Sequence, residues 1–122
     1  MGSFQTTLQS MQSMITIHHV KQAGTVTADI HLYCGRGENN VKGLVNARMG
    51  NPFVMRKWTE DERNRVCDAY EHHLESLPAT SNEWRVIERM KQRLAEGKTI
   101  ALYCYCAPQR CHCESIKRLA LA

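Results

Sequence analysis

The chain has 122 residues, of which 43% are hydrophobic and 23% charged, and these values predict one globular domain. A formal net charge of +4 suits an anionic ligand but is too small to predict nucleic-acid binding by itself. No apolar run reaches the roughly 20 residues of a membrane span, and no secretory signal opens the sequence. We therefore expect a cytoplasmic protein without a membrane partner, whose cysteines are free thiols or metal ligands rather than disulfides.

The first third of the chain predicts a leader and two strands. Residues 1–14 are rich in Ser, Gln, Thr and Met and lack charge, which predicts a flexible leader before a single domain over residues 15–122. Alternating apolar and polar residues predict strands over residues 15–20 and 28–33. If the first strand lies at the sheet edge it can pair with a second copy of the chain, so the oligomeric state stays open.

The rest of the chain predicts helices around one more strand. Thr59 and Glu62 have the spacing of a capping box at the start of a helix, and Ser81 can cap a second helix. Residues 99–105 form an apolar run typical of a central strand, and residues 111–121 have helical spacing. This order predicts an α/β fold, a small single-domain sandwich that is Rossmann-like in outline, with a short sheet flanked by helices.

Thiols are concentrated where the last predicted strand gives way to the last helix. Zinc binds Cys and His in tetrahedral sets. This segment has five candidate metal ligands: Cys104, Cys106, Cys111, His112 and Cys113. The spacing differs from the paired C-x2-C of zinc ribbons, and the alternative is that Cys104 is a small buried hydrophobic residue.

The same loop has the features of an anion-binding or nucleophilic site. Cys111 and His112 are predicted in the first helical turn, where unpaired N–H groups favour anions and lower the pKa of a thiol. We therefore take Cys111, His112 and Glu114 as candidate catalytic residues for nucleophilic or acid-base chemistry. The alternative is that Cys111 and His112 only cap the helix and pack under the loop.

A second candidate loop follows the strand over residues 28–33. Glycines on both sides of Arg36 let the backbone approach a ligand, and a guanidinium offers a fork for phosphate or carboxylate. The candidate ligand-binding residues are Gly35, Arg36, Gly37, Arg48 and Asn51, with Lys42 as a further cation. If the two strands are neighbours, both loops meet beyond their carboxyl ends. The alternative is a turn with a surface arginine.

Four linked motifs resemble an uncharacterised domain family of phages and bacteria. They are GRG after a strand, GNPF, a helix with a central tyrosine, and CxCxPxxCH; the matching positions are Gly35, Arg36, Gly37, Gly50, Asn51, Pro52, Phe53, Tyr70, Cys104, Cys106, Pro108, Cys111 and His112. The family usually has glycine and aspartate after its Cys-His pair, where this chain has Cys113 and Glu114. The resemblance supports the α/β fold and the two-loop site and implies no particular reaction.

These observations lead to two expectations about function. The first is a phage-type accessory protein, in the bacterial host cytosol, that binds or processes a nucleotide, nucleoside or nucleic-acid end at the cleft between the loops. Its partner would then be a phosphate-bearing small molecule or nucleic acid. The second is a non-catalytic binding protein whose cluster between Cys104 and Cys113 holds a structural zinc.

Overall fold

Four parallel strands form the sheet of this protein in the spatial order β1-β4-β2-β3. The structure is a computed structural model that describes residues 11–37 and 43–122. Its strands are β1 (Ile15–His19), β2 (Ile30–Tyr33), β3 (Val45–Asn46) and β4 (Ile100–Cys104). Its helices are α1 (Glu60–Ser76), α2 (Asn82–Ala95) and α3 (Cys113–Leu121), with a 3-10 turn at Val20–Gln22. The predicted α/β class is confirmed.

Strand β4 is the centre of the sheet, as its apolar run predicts. All five of its residues are buried, and it pairs with β1 on one side and β2 on the other. Ile100 is in register with both Ile15 and Ile30, so β1, β4 and β2 begin at the same level. Because these strands are parallel, the segments that follow β2 and β4 leave from the same edge of the sheet.

The two faces of the sheet are covered differently. Leu102 of β4 packs in the main core, which includes Leu74 of α1, Ile87 of α2 and Ile116 of α3. Tyr103 points to the opposite face, where a smaller cluster gathers Val20, Tyr33, Ala101, Ala28 and Leu44. In the described ranges no α-helix packs in that smaller cluster, so α1, α2 and α3 share one face.

Three local differences separate the structure from the sequence expectations. Strand β3 lies in a segment predicted as loop, because two residues are too short to show a period of two. Helix α3 begins at Cys113 rather than at residue 111. The capping box forms only in part: Thr59 Oγ1 accepts from the Glu62 N–H at 3.2 Å, but the Glu62 carboxylate instead pairs with Arg65 at 2.7 Å.

The N-terminal segment is described only from residue 11 onward. Residues 1–10, which hold most of the predicted leader, and residues 38–42, which include Lys42, lie outside the described part. The Met14 carbonyl accepts a hydrogen bond from the Ile100 N–H at 2.8 Å, next to the start of β1. Among the described helices none has the length and apolar content needed to cross a membrane.

Candidate functional site

The loops after β2 and β4 meet beyond the carboxyl ends of these neighbouring strands. Their closest link is a hydrogen bond from His112 Nε2 to the carbonyl of Cys34. A carbonyl only accepts, so Nε2 carries the proton, and Nδ1 of the neutral ring is an acceptor. Nδ1 lies 3.9 Å from Cys111 Sγ, so the imidazole is oriented by one loop and faces a thiol of the other.

Arg36 connects the GRG loop to the GNPF segment. Its Nε donates to the Asn51 carbonyl at 2.6 Å, and its Nη2 donates to the Phe53 carbonyl at 2.7 Å. Two of the five N–H donors of this guanidinium are therefore occupied by the loop backbone. These carbonyls are neutral partners, so the guanidinium keeps its full positive charge beside the loop.

Helix α1 fixes the GNPF segment from the other side. The buried Asn51 donates through Nδ2 to the Val66 carbonyl at 2.9 Å and accepts from the Phe53 N–H at 2.9 Å. Tyr70 Oη donates to the Met49 carbonyl at 2.7 Å, and burial raises the pKa of this phenol far above its usual range. The loop backbone that borders the site is thus held by two buried side chains.

A cleft of about 280 Å³ opens between the two loops and α1. Seven of the residues selected from sequence line it: Gly35, Arg36, Asn51, Cys104, Cys106, Cys111 and His112. The two loops that the motifs selected therefore border one cavity, although they lie about seventy positions apart in the chain.

Four other selected residues lie elsewhere. Gly37 and Arg48 line an adjoining depression on the far side of the GRG loop. Cys113 is fully buried behind the cleft. Glu114 is exposed outside the cleft, and its carboxylate accepts from the Cys111 N–H at 3.3 Å, so its contact is with the start of α3 rather than with the cavity.

Four cleft residues that sequence inspection did not select as site residues come from α1 and the residue before its cap. They are Trp58, Arg63, Val66 and Cys67. Arg63 and Cys67 precede Tyr70 by seven and three positions, so all three lie on one helical face. The sequence alone shows this spacing from Tyr70, and it could have been used to select Arg63 and Cys67.

Positive charge is the main electrostatic feature of the cleft. Arg110 is neutralised by Asp68 at 2.7 Å and also donates to Asn64 at 3.0 Å. Arg63 makes a long hydrogen bond of 3.4 Å to the Arg110 carbonyl. Within the described ranges, neither Arg36 nor Arg63 has a carboxylate partner. Two uncompensated guanidinium groups therefore line one cavity.

Three buried thiols form a compact group in the wall of the cleft. The Sγ atoms of Cys104, Cys111 and Cys113 all lie within 4.8 Å of one another. Zinc–sulfur bonds of about 2.3 Å in a tetrahedron place thiolates about 3.8 Å apart. The Cys104 and Cys111 sulfurs are closer than this, at 2.9 Å, so a zinc ion held by all three thiols would have to move these two apart. Of the five expected metal ligands, these three form the buried group, His112 is outside it, and Cys106 is half-exposed on the cleft side.

The sulfur of Cys111 lies in surroundings that favour its anionic form. Hydrogen bonds from Cys104 and other neighbouring thiols hold the pKa of Cys111 well below the usual value for a thiol. The Cys113 N–H also points to Cys111 Sγ at 3.2 Å. Burial has the largest single effect on the pKa of His112 and lowers it, but Cys111, the Cys34 carbonyl and Cys104 together raise this pKa above its usual value. A thiolate at this position can bind a metal or attack an electrophile.

The fold and the site together define the class of this protein. It is a parallel α/β domain with a cationic, thiol-lined cleft beyond the ends of two adjacent strands. Residues 17–122 match the family described as Domain of unknown function (DUF4326), and the chain belongs to this family. The expected membership in an uncharacterised domain family is thereby confirmed. No curated protein and no solved structure matches the chain.

Proposed function

We propose that this protein binds, as an accessory protein, a phosphate-bearing nucleotide, nucleoside or nucleic-acid end in the cleft between the GRG loop and the Cys-His loop. The observation that carries the proposal is the pair of guanidinium groups, Arg36 and Arg63, that line the cleft without a carboxylate partner in the described part of the chain. Guanidinium groups bind phosphate through charge-assisted hydrogen bonds, and an anion would neutralise both.

The size and position of the cleft support a small ligand. Ligands of open α/β sheets bind beyond the carboxyl ends of strands, which is where this cleft lies. Its volume of about 280 Å³ is just below the usual range for ligand pockets, so it suits a ligand no larger than one nucleotide unit. If the ligand is processed, the groups placed to act are Cys111 Sγ and His112 Nδ1, which are 3.9 Å apart.

Arg63 offers the sharper test, since Arg36 also holds two loops together. We expect Arg63→Ala to weaken binding of AMP, measured by calorimetry, by about tenfold or more, because it removes a charge-assisted contact. Arg93→Ala is the matched control, because Arg93 pairs with Glu96 at 3.0 Å on another helix and does not line the cleft. Equal affinities in the three proteins, or no binding by the unaltered protein, would overturn the proposal.

A second candidate function is a zinc centre, and a separate observation favours it. Cys104, Cys111 and Cys113 present three sulfurs within 4.8 Å, in a fold region that joins the end of β4 to the start of α3. Zinc bound there would cross-link these two elements and stabilise the Cys-His loop. Cys106, which lies two residues after Cys104 and lines the cleft, is the candidate for a fourth protein ligand.

Metal content of protein purified under reducing conditions tests the zinc centre. We expect about one equivalent of zinc in the unaltered protein and a large loss in Cys113→Ser. Cys67→Ser is the matched control, because Cys67 is a buried thiol that lies outside the three-sulfur group. Protein without metal and with six free thiols would exclude the zinc centre and leave the nucleotide proposal standing.

A further inference from the structure

Exposed hydrophobic side chains are concentrated around the mouth of the cleft. Val54, Trp58 and Tyr105 are 60%, 87% and 62% exposed, and all three line the cavity. We call them the aromatic rim. In residues 11–37 and 43–122 only two other large hydrophobic side chains are exposed, Val45 at 66% and Met11 at 38%. Grouped exposed apolar side chains of this kind mark a binding surface.

Both rings of the aromatic rim are attached to ordered parts of the fold. Tyr105 directly follows β4, and its ring makes edge contacts with Tyr33 at 6.1 Å and His19 at 5.9 Å between centroids. Trp58 directly precedes Thr59, the N-cap of α1. Ring contacts therefore hold Tyr105, the start of α1 positions the backbone of Trp58, and most of the surface of both rings is available to a ligand.

The combination of flat rings and positive charge points to the chemistry of the ligand. We propose that the aromatic rim stacks on the base of a nucleotide whose phosphate lies at Arg36 and Arg63. This inference rests on the proposed function and adds that the base, not only the phosphate, is recognised. Every base has a π face that stacks on aromatic side chains, so the rim binds all four bases with modest preferences.

The two tryptophans of the chain allow a direct readout of stacking. Trp84 is half-buried, donates through Nε1 to the Leu74 carbonyl at 2.9 Å and does not line the cleft. Trp84→Phe therefore leaves Trp58 as the single fluorophore. We expect AMP to quench its emission and ribose 5-phosphate, which carries the phosphate without a base, to leave it nearly unchanged.

Calorimetry on the chain with both tryptophans gives the energetic test. We expect AMP to bind about tenfold or more tightly than ribose 5-phosphate, and Trp58→Ala to abolish that difference while the affinity for ribose 5-phosphate stays unchanged. Val45→Ala is the control, because Val45 is 66% exposed but lies outside the cleft. An oligoadenylate of about five nucleotides, compared with AMP, separates a strand end from a free nucleotide; either one supports the base platform.

Three results would overturn the aromatic rim as a base platform. Equal affinity for AMP and ribose 5-phosphate, unchanged in Trp58→Ala, would remove the platform and leave phosphate binding intact. Failure of both probes to bind would overturn the proposed function together with the platform. A concentration-dependent dimer that Trp58→Ala dissociates would show that the rim is covered by a second copy of the chain.

Discussion

Gly50 lies where the GRG loop and the GNPF segment touch backbone to backbone. A Cβ placed on Gly50 would lie 2.9 Å from both the Arg36 Cα and the Gly35 carbonyl oxygen. Main-chain atoms cannot turn aside as a flexible side chain can, so Gly50→Ala must push the two segments apart. We expect the substitution to lower the free energy of unfolding by about 1–3 kcal/mol, measured by urea denaturation.

The displaced loop should also weaken ligand binding, because Arg36 is attached to the carbonyls of Asn51 and Phe53 that would move. A Gly50→Ala protein with the unfolding midpoint and AMP affinity of the unaltered chain would contradict the close contact between the loops. The glycine of the GNPF motif is thus explained by packing between the two loops, in addition to any contact with a ligand.

Single residues also show what the sequence could and could not predict about the site. The motifs located Arg36, Asn51, Cys111 and His112, and the structure places all four around one cleft. The bond partners of Arg36 were not predictable, because they are main-chain carbonyls fifteen and seventeen positions away, and carbonyls have no sequence signature. Trp58 was missed because a lone tryptophan before a helix has no periodic pattern.

At the scale of elements, Asp29 joins the starts of β2 and β4. Its carboxylate accepts from the Thr99 N–H at 2.8 Å and from the Thr99 hydroxyl at 3.2 Å, and these bonds, led by the one from the backbone, lower the pKa of Asp29. A carboxyl whose pKa is lower in the folded state stabilises the fold above its unfolded pKa, and this contribution is lost as the pH falls through the folded pKa.

We therefore expect Asp29→Ala to lower the thermal midpoint at pH 6, and the difference from the unaltered chain to narrow as the pH falls below about 4. Thermal unfolding followed by circular dichroism over that pH series checks the sign. Thr99→Val is the matched variant: it keeps the backbone donor and should retain most of the pH dependence. A difference that grows on acidification would contradict the assignment.

Elements were predictable where a pattern extended over a full turn or several strand residues. The capped start of α1 and the buried run of β4 both followed from such patterns. Strand β3 could not be predicted in this way. It is a strand because Val45 pairs with Leu32 and Asn46 with Tyr33 of β2, and its own sequence shows no alternation. The one-sided arrangement of the helices also depends on long-range packing, and the Rossmann-like outline stays a prediction.

At the scale of the whole molecule, the fold gathers the six cysteines near one end of the sheet while the chain distributes them over eighty positions. Cys34 follows β2, Cys104 ends β4, and Cys67 faces the same cleft as Cys111 from α1. All six are free, and Cys106 alone is not buried. The folded domain therefore buries five thiols, and the rate at which those outside the cleft lining react with an added reagent measures how often the fold opens.

Thiol labelling with a maleimide under reducing, metal-free conditions tests this arrangement. We expect one thiol to react in the folded protein and all six to react in a concentrated denaturant, counted by intact mass. Cys106→Ser should remove the native reaction, whereas Cys67→Ser should leave it. Cys34 and Cys113 are buried outside the cleft lining and react only when the domain opens, so their labelling rate follows the opening equilibrium. Rapid native labelling of several cysteines would mean that the loop between β4 and α3 opens independently of the core.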